Sequence, residues 1–400
     1  MNEAIPENSR PTPIALPAKA DFAPMQLAYL DSATMHPMAL GAKAAVESYL
    51  DARTFSGVGR GYFAGTTEKQ VLQYFARLIN ASTEEVCFVP NTTAAEHLVL
   101  TSLGLPAAGG RVVTDTLHFP GSFYLYDEIS KLGVDVVWLT ASEGRVELDA
   151  IESAITPHTK LVAVSLVSSV NGFRHDLKRI CEIAHARGAY VYADIIHAAG
   201  CSPVDVKDSG VDFAACSAFK WLMGDFGLGF LYVRADLLDR LPKTQFGYYQ
   251  LASFRTPDFP VGPPTGEFGG YAVANGAIGK FALGTLAHAV LVQLEWSLQY
   301  IFDLGVARIE RHRQALTDRL KNELPKMGFR LLTPIESPGP IVSCALAEAH
   351  SLAPHLAAAQ VRIALAPGRF RISPSVFNDM SDIDRLLSAL SGLRRHERTG

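Results

Sequence analysis

The chain lacks paired cysteines. Its five (Cys87, Cys181, Cys201, Cys216 and Cys344) are odd in number, lie far apart and form no C-x-x-C pair. Neither a disulfide framework nor a zinc site is indicated, and they read as buried or free thiols. The chain also lacks a charge excess: 40 acidic against 36 basic residues give a net charge of -4, which offers no electrostatic reason to expect nucleic acid or a membrane as partner. No apolar run approaches the ~20 residues that cross a bilayer. Residues 1–24 are rich in Pro, Ala and polar side chains but lack the basic start and apolar stretch of a signal peptide; they read as a loose arm on a cytoplasmic protein. Internal repeats and low-complexity tracts are missing. What is abundant is hydrophobic: 48% of 400 residues, against 19% charged. That suffices for a large core, and the length suits a large domain with a smaller one. A small-molecule enzyme fits these bounds.

Short β-rich runs alternate with helical patterns through the middle of the chain. Val112–Thr114 precedes a helical stretch over 122–131, Val134–Leu139 one over 147–154, and Leu161–Val167 one over 177–187. With Tyr190–Ala193 and Leu228–Val233 this predicts an α/β domain around a mostly parallel sheet covered by helices on both faces. Residues 242–270, dense in Pro, Gly and aromatics, read as a long connection. Helical spacing over 286–304 and 306–324, β-like pieces at 340–346 and 370–372, and a last helix over 381–393 predict a smaller C-terminal α+β domain. The expected division is an arm over 1–24, a large domain over 25–280 and a small one over 281–400.

Three segments carry chemistry. Lys220 lies between Phe219 and Trp221, after a β-like run and before the glycine-rich turn Gly224-Asp225-Phe226-Gly227. Most such lysines are surface charges, but desolvation by aromatic neighbours lowers an amine's pKa, as imine chemistry requires. Asp194 stands at the carboxyl end of an apolar strand, where open α/β sheets place ligands. It could keep a pyridinium nitrogen protonated or serve as an ordinary cap, and His197, three residues on, could contact the same ring or be structural. Thr92 and Thr93 open an apolar helix, whose N-terminus can bind phosphate or simply be capped.

In this order the pieces resemble the class V aminotransferase family of pyridoxal 5'-phosphate (PLP) enzymes, closest in pattern to its isopenicillin N epimerase-like and C-S lyase-like members. The resemblance begins at Tyr29-Leu30-Asp31-Ser32-Ala33-Thr34-Met35-His36-Pro37, continues through Arg60-Gly61-Tyr62 and Thr92-Thr93, and takes in Thr116-Leu117-His118. It implies PLP fold type I, with a mostly parallel seven-stranded sheet between helices. Lys220 matches the Schiff-base lysine, Asp194 and His197 the acid and its ring-contacting partner, His118 the histidine that stacks on the ring, and Ser217 a phosphate ligand. Gly284-Thr285 resembles the motif that reaches the phosphate of the neighbouring subunit, which implies a homodimer with shared sites. Phe370-Arg371-Ile372-Ser373-Pro374 matches the segment whose arginine binds the substrate carboxylate; a guanidinium grips a carboxylate through two parallel hydrogen bonds. Departures stand at Phe219, where desulfurases usually carry histidine, at Ser169, where an asparagine is common near the ring hydroxyl, and at Asp225, where proline is usual. Asp225 is expected to point away from the phosphate.

A persulfide-forming cysteine desulfurase needs a thiolate on a mobile C-terminal loop. Residues 355–371 contain no cysteine, and Cys344 sits in an apolar run, so that reaction is disfavoured. The expected reaction starts at Cα of an amino-acid substrate with Lys220 as base, and ends as β-elimination or transamination. Epimerisation is an alternative, with His36 or one of Tyr248 and Tyr249 as the opposing acid, and His36 is also a candidate substrate contact. Two rivals remain beside it: a non-catalytic PLP-binding protein, and a serine acyl enzyme. The latter rests on Ser217-Ala218-Phe219-Lys220 spelling S-x-x-K, but the chain offers only Ser381-Asp382-Ile383 and Lys243-Thr244-Gln245 for its companion motifs.

Overall fold

A computed structural model describes residues 15–23, 27–57, 64–254 and 270–396. The Arg60-Gly61-Tyr62 motif, most of the 1–24 arm and most of the 242–270 connection therefore lie outside the described residues. Seven strands form the central sheet: β1 (Val86–Val89), β2 (Arg111–Asp115), β3 (Asp135–Leu139), β4 (Thr159–Ser165), β5 (Tyr190–Asp194), β6 (Phe213–Ser217) and β7 (Gly229–Val233). Their order is β1-β7-β6-β5-β4-β2-β3. Strands β1, β6 and β7 are buried throughout, whereas no residue of the edge strand β3 is buried, and Asp135 and Trp138 are exposed. Strands covered on two faces can be apolar at every position, and β1, although at the other edge of the sheet, is covered in this way.

The sequence places 228–233 among parallel strands, and here the structure differs. Strand β7 runs antiparallel to both neighbours, β6 and β1. The link from β6 to β7 is a tight turn closed by the Ala218 N–H on the Leu228 carbonyl at 3.0 Å, with no crossover helix. A parallel return needs such a helix; a hairpin does not. The turn that replaces it carries Lys220.

A second sheet of four antiparallel strands, β8 (Arg330–Leu331), β9 (Val342–Ala345), β10 (Ala364–Ala366) and β11 (Arg369–Ile372), has the order β8-β9-β11-β10. The helices Val306–Lys326 and Met380–His396 pack on it, and Leu316, Leu320, Phe370, Ile372 and Leu386 lie in its core. Two segments cross the expected division at residue 280. Ala28–Tyr29 pairs in parallel with Val361–Arg362 and puts Leu30 into the C-terminal core, while Leu291, Leu294 and Leu298 of helix His288–Leu304 enter the core of the large sheet. No described helix is long and apolar enough to cross a membrane.

The two turns that follow β5 and β6 are locked together by one glycine. Gly200 has φ of +95°, and a Cβ there would lie 2.3 Å from the Trp221 carbonyl oxygen. On the other side, Gln293 Nε2 and Ser297 Oγ donate to the Met223 carbonyl at 2.9 and 3.0 Å. The Lys220 turn is thus clamped between the sheet and helix His288–Leu304.

Candidate active site

Strand ends converge on a cavity of about 340 Å³ lined by Thr92, Thr93, Asp194, Ser217, Phe219 and Lys220, among others. Asp194 ends β5, Ser217 ends β6, and Thr92 opens the helix Thr92–Ser102, whose N-cap Asn91 accepts the Ala94 N–H at 2.9 Å. The Thr92 N–H donates to Ser217 Oγ at 3.0 Å. This joins the helix start to the end of β6, so the positive end of the helix dipole and a hydroxyl face one cavity.

Lys220 is buried, and its hydrogen-bond partner is the His197 Nε2, 3.0 Å away. Burial pushes its pKa down to about 8, against the opposing attraction of Asp194. Asp194 shifts the other way: burial raises its carboxyl to about 6, although Oδ1 accepts the Ile196 N–H at 2.9 Å. His197 is held well below its usual pKa by burial and then by the charges of Lys220 and Arg371. It is a neutral ring.

His118 belongs to a fully buried network and does not line the cavity. Its Nδ1 meets Ser165 Oγ at 2.8 Å and its Nε2 meets Glu96 Oε1 at 3.0 Å, while Ser122 and Tyr126 donate to the same carboxylate at 2.7 Å. Burial works against both charges, but the pairing prevails: Glu96 is lowered and His118 raised. Glu96 was not singled out from the sequence. The available signal is its place in the apolar helix that Thr92 and Thr93 open, an acid among Ala95, Leu98 and Val99.

Arg371, on β11, donates to the Ser169 carbonyl at 3.0 Å and to Thr34 Oγ1 at 2.6 Å, with Asp31 Oδ1 at 3.7 Å. Its Nε is buried without a partner. Ser169 thus enters through its backbone carbonyl. His36 does not behave as a ligand-binding group: Nδ1 is engaged by the Pro37 carbonyl and Nε2 by Ser375 Oγ, each at 2.8 Å, and the ring packs between Phe22 and Phe377. Burial lowers its pKa to about 4. Both nitrogens being used, it has none to offer. Thr285 lies outside the Lys220 cavity, exposed and bonded to the Tyr248 hydroxyl at 2.8 Å. Asp225 is outside it too, its Oδ1 accepting the Phe226 N–H at 2.8 Å. Phe219 stacks on Phe226 at 4.5 Å, both of them cavity-lining residues.

The donor set fits the cofactor that the sequence resemblance implies. A desolvated amine, a buried carboxylate in the same cavity and a helix N-terminus beside a serine correspond to an aldehyde, a pyridine nitrogen and a phosphate. Arg371, the expected substrate-carboxylate ligand, is not among the residues lining this cavity, and its two Nη atoms are bonded to Ser169 and Thr34.

Residues 60–386 match the model of the family described as aminotransferase class-V. A probable cysteine desulfurase of Methanothermobacter thermautotrophicus is 30% identical over 303 residues, spanning 73% of this chain and 71% of that protein. A cysteine desulfurase of Yersinia pestis is 28% identical over 397 residues, 92% of this chain and 94% of its own length. Among solved structures, the cystine C-S lyase C-DES in complex with cysteine persulfide superposes with a TM-score of 0.81 at 18% identity, covering 92% and 97% of the two chains; this likeness establishes the fold type. The chain belongs to the class V aminotransferases and is a pyridoxal 5'-phosphate enzyme.

Proposed function

We propose that the protein is a lyase acting at Cα of a sulfur-containing amino acid and expelling a β-substituent, with Lys220 as the base. The observation that carries this reading is the nature of the nucleophiles: Lys220 is the desolvated amine of the cavity, while all five thiols are buried elsewhere. Burial pushes Cys344 and Cys201 up to about 12 and holds Cys87, Cys181 and Cys216 above their ordinary value too. No thiolate is available to take sulfur from a substrate. Two relatives carry the name cysteine desulfurase, which supports a sulfur amino acid as substrate; the missing loop thiol disfavours a protein-bound persulfide.

In this reading Lys220 Nζ would hold the cofactor's aldehyde carbon until an incoming amine displaces it. The Thr92 and Thr93 segment and Ser217 would hold the phosphate, and Asp194 the ring nitrogen in its protonated form. Bound PLP supplies an electron sink that makes the substrate Cα–H acidic. Arg371 would orient the substrate by its carboxylate, and the freed Lys220 amine, with a pKa near 8, would take the Cα proton and pass a proton to the departing sulfur as the Cβ–S bond breaks. His197 faces the same amine from the side. Both nitrogens of His36 are engaged, and the hydroxyls of Tyr248 and Tyr249 are bonded to Thr285 and Glu68; among the described residues no second acid is identified opposite Lys220, which favours elimination or transamination over epimerisation.

The test is to incubate the cofactor-loaded protein with cystine, cysteine, other sulfur amino acids and alanine, without an added thiol. Elimination yields keto acid, ammonia and a sulfur product in equal amounts. Keto acid without ammonia indicates transamination instead. Absence of any product or absorbance change across the panel would overturn the enzymatic reading and support a PLP-binding protein.

A further inference from the structure

We propose that Trp221 is a positioning residue: its indole fixes the tautomer of His197, so that His197 presents a proton donor to the Lys220 amine and holds that amine as the free base. The proposal rests on the reading of Lys220 as the imine-forming residue and goes beyond it.

The indole N–H is a donor with no acceptor capacity. Trp221 Nε1 lies 3.4 Å from His197 Nδ1 with the N–H directed at it, so Nδ1 carries the lone pair. The ring is neutral and has a single proton, which is therefore on Nε2. That nitrogen is the one 3.0 Å from Lys220 Nζ. The hydrogen bond then runs from His197 to Lys220, and Nζ must supply a lone pair. An ammonium has three donors and none to give; it would meet the imidazole N–H donor to donor. Trp221, His197 and Lys220 form a chain of donors running one way, and its last member is a nucleophilic amine.

Three other ionisable groups face this pair. Asp194, at the end of β5, favours the ammonium; Arg371, on β11, opposes it; the Cys216 thiol, on β6, is held neutral by burial. Asp194 is thus the force that the donor chain has to outweigh. The indole has little freedom to abandon its task, since Trp221 is fully buried and its carbonyl is pressed against Gly200. The adjacent Met223 carbonyl is bonded to Gln293 and Ser297. Replacing the indole by phenyl frees Nδ1 to take the proton, and Nε2 then accepts from an ammonium.

The experiment uses cofactor-free full-length protein. The rate of the absorbance change on adding PLP, measured against pH, gives the midpoint at which Lys220 becomes reactive, expected near pH 8 in the wild type. Trp221→Phe is expected to raise that midpoint by about one pH unit, which slows the reaction roughly eightfold at pH 7.5. His197→Ala raises it as well, and adding Trp221→Phe to His197→Ala changes nothing further, because the indole acts through the imidazole. An unshifted midpoint in a folded Trp221→Phe protein overturns the proposal. If that variant does not fold, the imidazole ¹⁵N spectrum of the wild type decides: a proton on His197 Nε2 is expected, and a proton on Nδ1 overturns it. A wild type that shows no absorbance change at any pH refutes the PLP-site reading instead, a distinct result.

Discussion

Asp194 shows what a buried carboxyl costs the chain that must fold around it. Its carboxyl has a pKa of about 6 in the folded protein, against 3.8 ordinarily. The folded state therefore binds this proton more tightly than the unfolded chain does. Below about pH 4 both states are protonated and no penalty exists; as pH rises through 6 the cofactor-free protein loses up to about 3 kcal/mol. An amide at this position keeps an acceptor for the Ile196 N–H and never ionises. Thermal melts of cofactor-free Asp194→Asn should match wild type at pH 4 and exceed it at pH 7.5, while its affinity for PLP falls. Equal melting temperatures at pH 7.5 would show that the buried charge is already compensated. Residues of this kind were legible in the sequence because their chemistry is tied to a place in a motif: Lys220, Asp194, Thr92 and Ser217 meet in one cavity. The motif around His36 says nothing about its two hydrogen-bond partners, one of which, Ser375, lies 339 positions away. Trp221 was read as a desolvating flank, since the direction of an indole N–H is set by packing and not by neighbours in the chain.

Among the elements, the βα rhythm from β2 to β5 is legible in apolar periodicity, because each of those strands is followed by its own helix. Two parts are not. Strand β1 precedes the rhythm and is recognisable only by its pairing with β7, and the reversal of β7 depends on a hairpin whose closing hydrogen bond joins residues ten apart in sequence. The hairpin matters because it presents Lys220, and its contact with Gly200 holds it in place. Gly200→Ala combines a positive φ with a Cβ 2.3 Å from a backbone oxygen, so the two turns must separate. Chemical denaturation should show a loss of roughly 2–4 kcal/mol, and the surviving folded fraction should form the PLP absorbance more slowly. Wild-type stability in this variant would mean that the turns are not coupled through this contact.

At the scale of the molecule, the position of Thr285 decides what a complete site requires. Within one chain it is exposed and outside the Lys220 cavity, so any contact it makes with the cofactor's phosphate comes from a second subunit. Mixing subunits tests this. In a homodimer with shared sites, as the sequence resemblance implies, Lys220→Ala and Thr285→Ala dimers should each bind PLP poorly or without an imine, whereas a mixed dimer would contain one site with an intact Lys220 and an intact Thr285 from opposite chains. Unfolding and refolding the two variants together should restore imine absorbance to about a quarter of the wild-type level, because roughly half the dimers are mixed on random pairing and each carries one intact site of two. No recovery on mixing, with dimers verified by light scattering, would place Thr285 outside the site. The five buried thiols have a consequence at this scale as well. A chain with no exposed, ionisable sulfur has nowhere to store what it cleaves from a substrate. Under the proposed elimination, each turnover would discharge its leaving group into solvent, at a rate independent of any acceptor protein waiting to collect it.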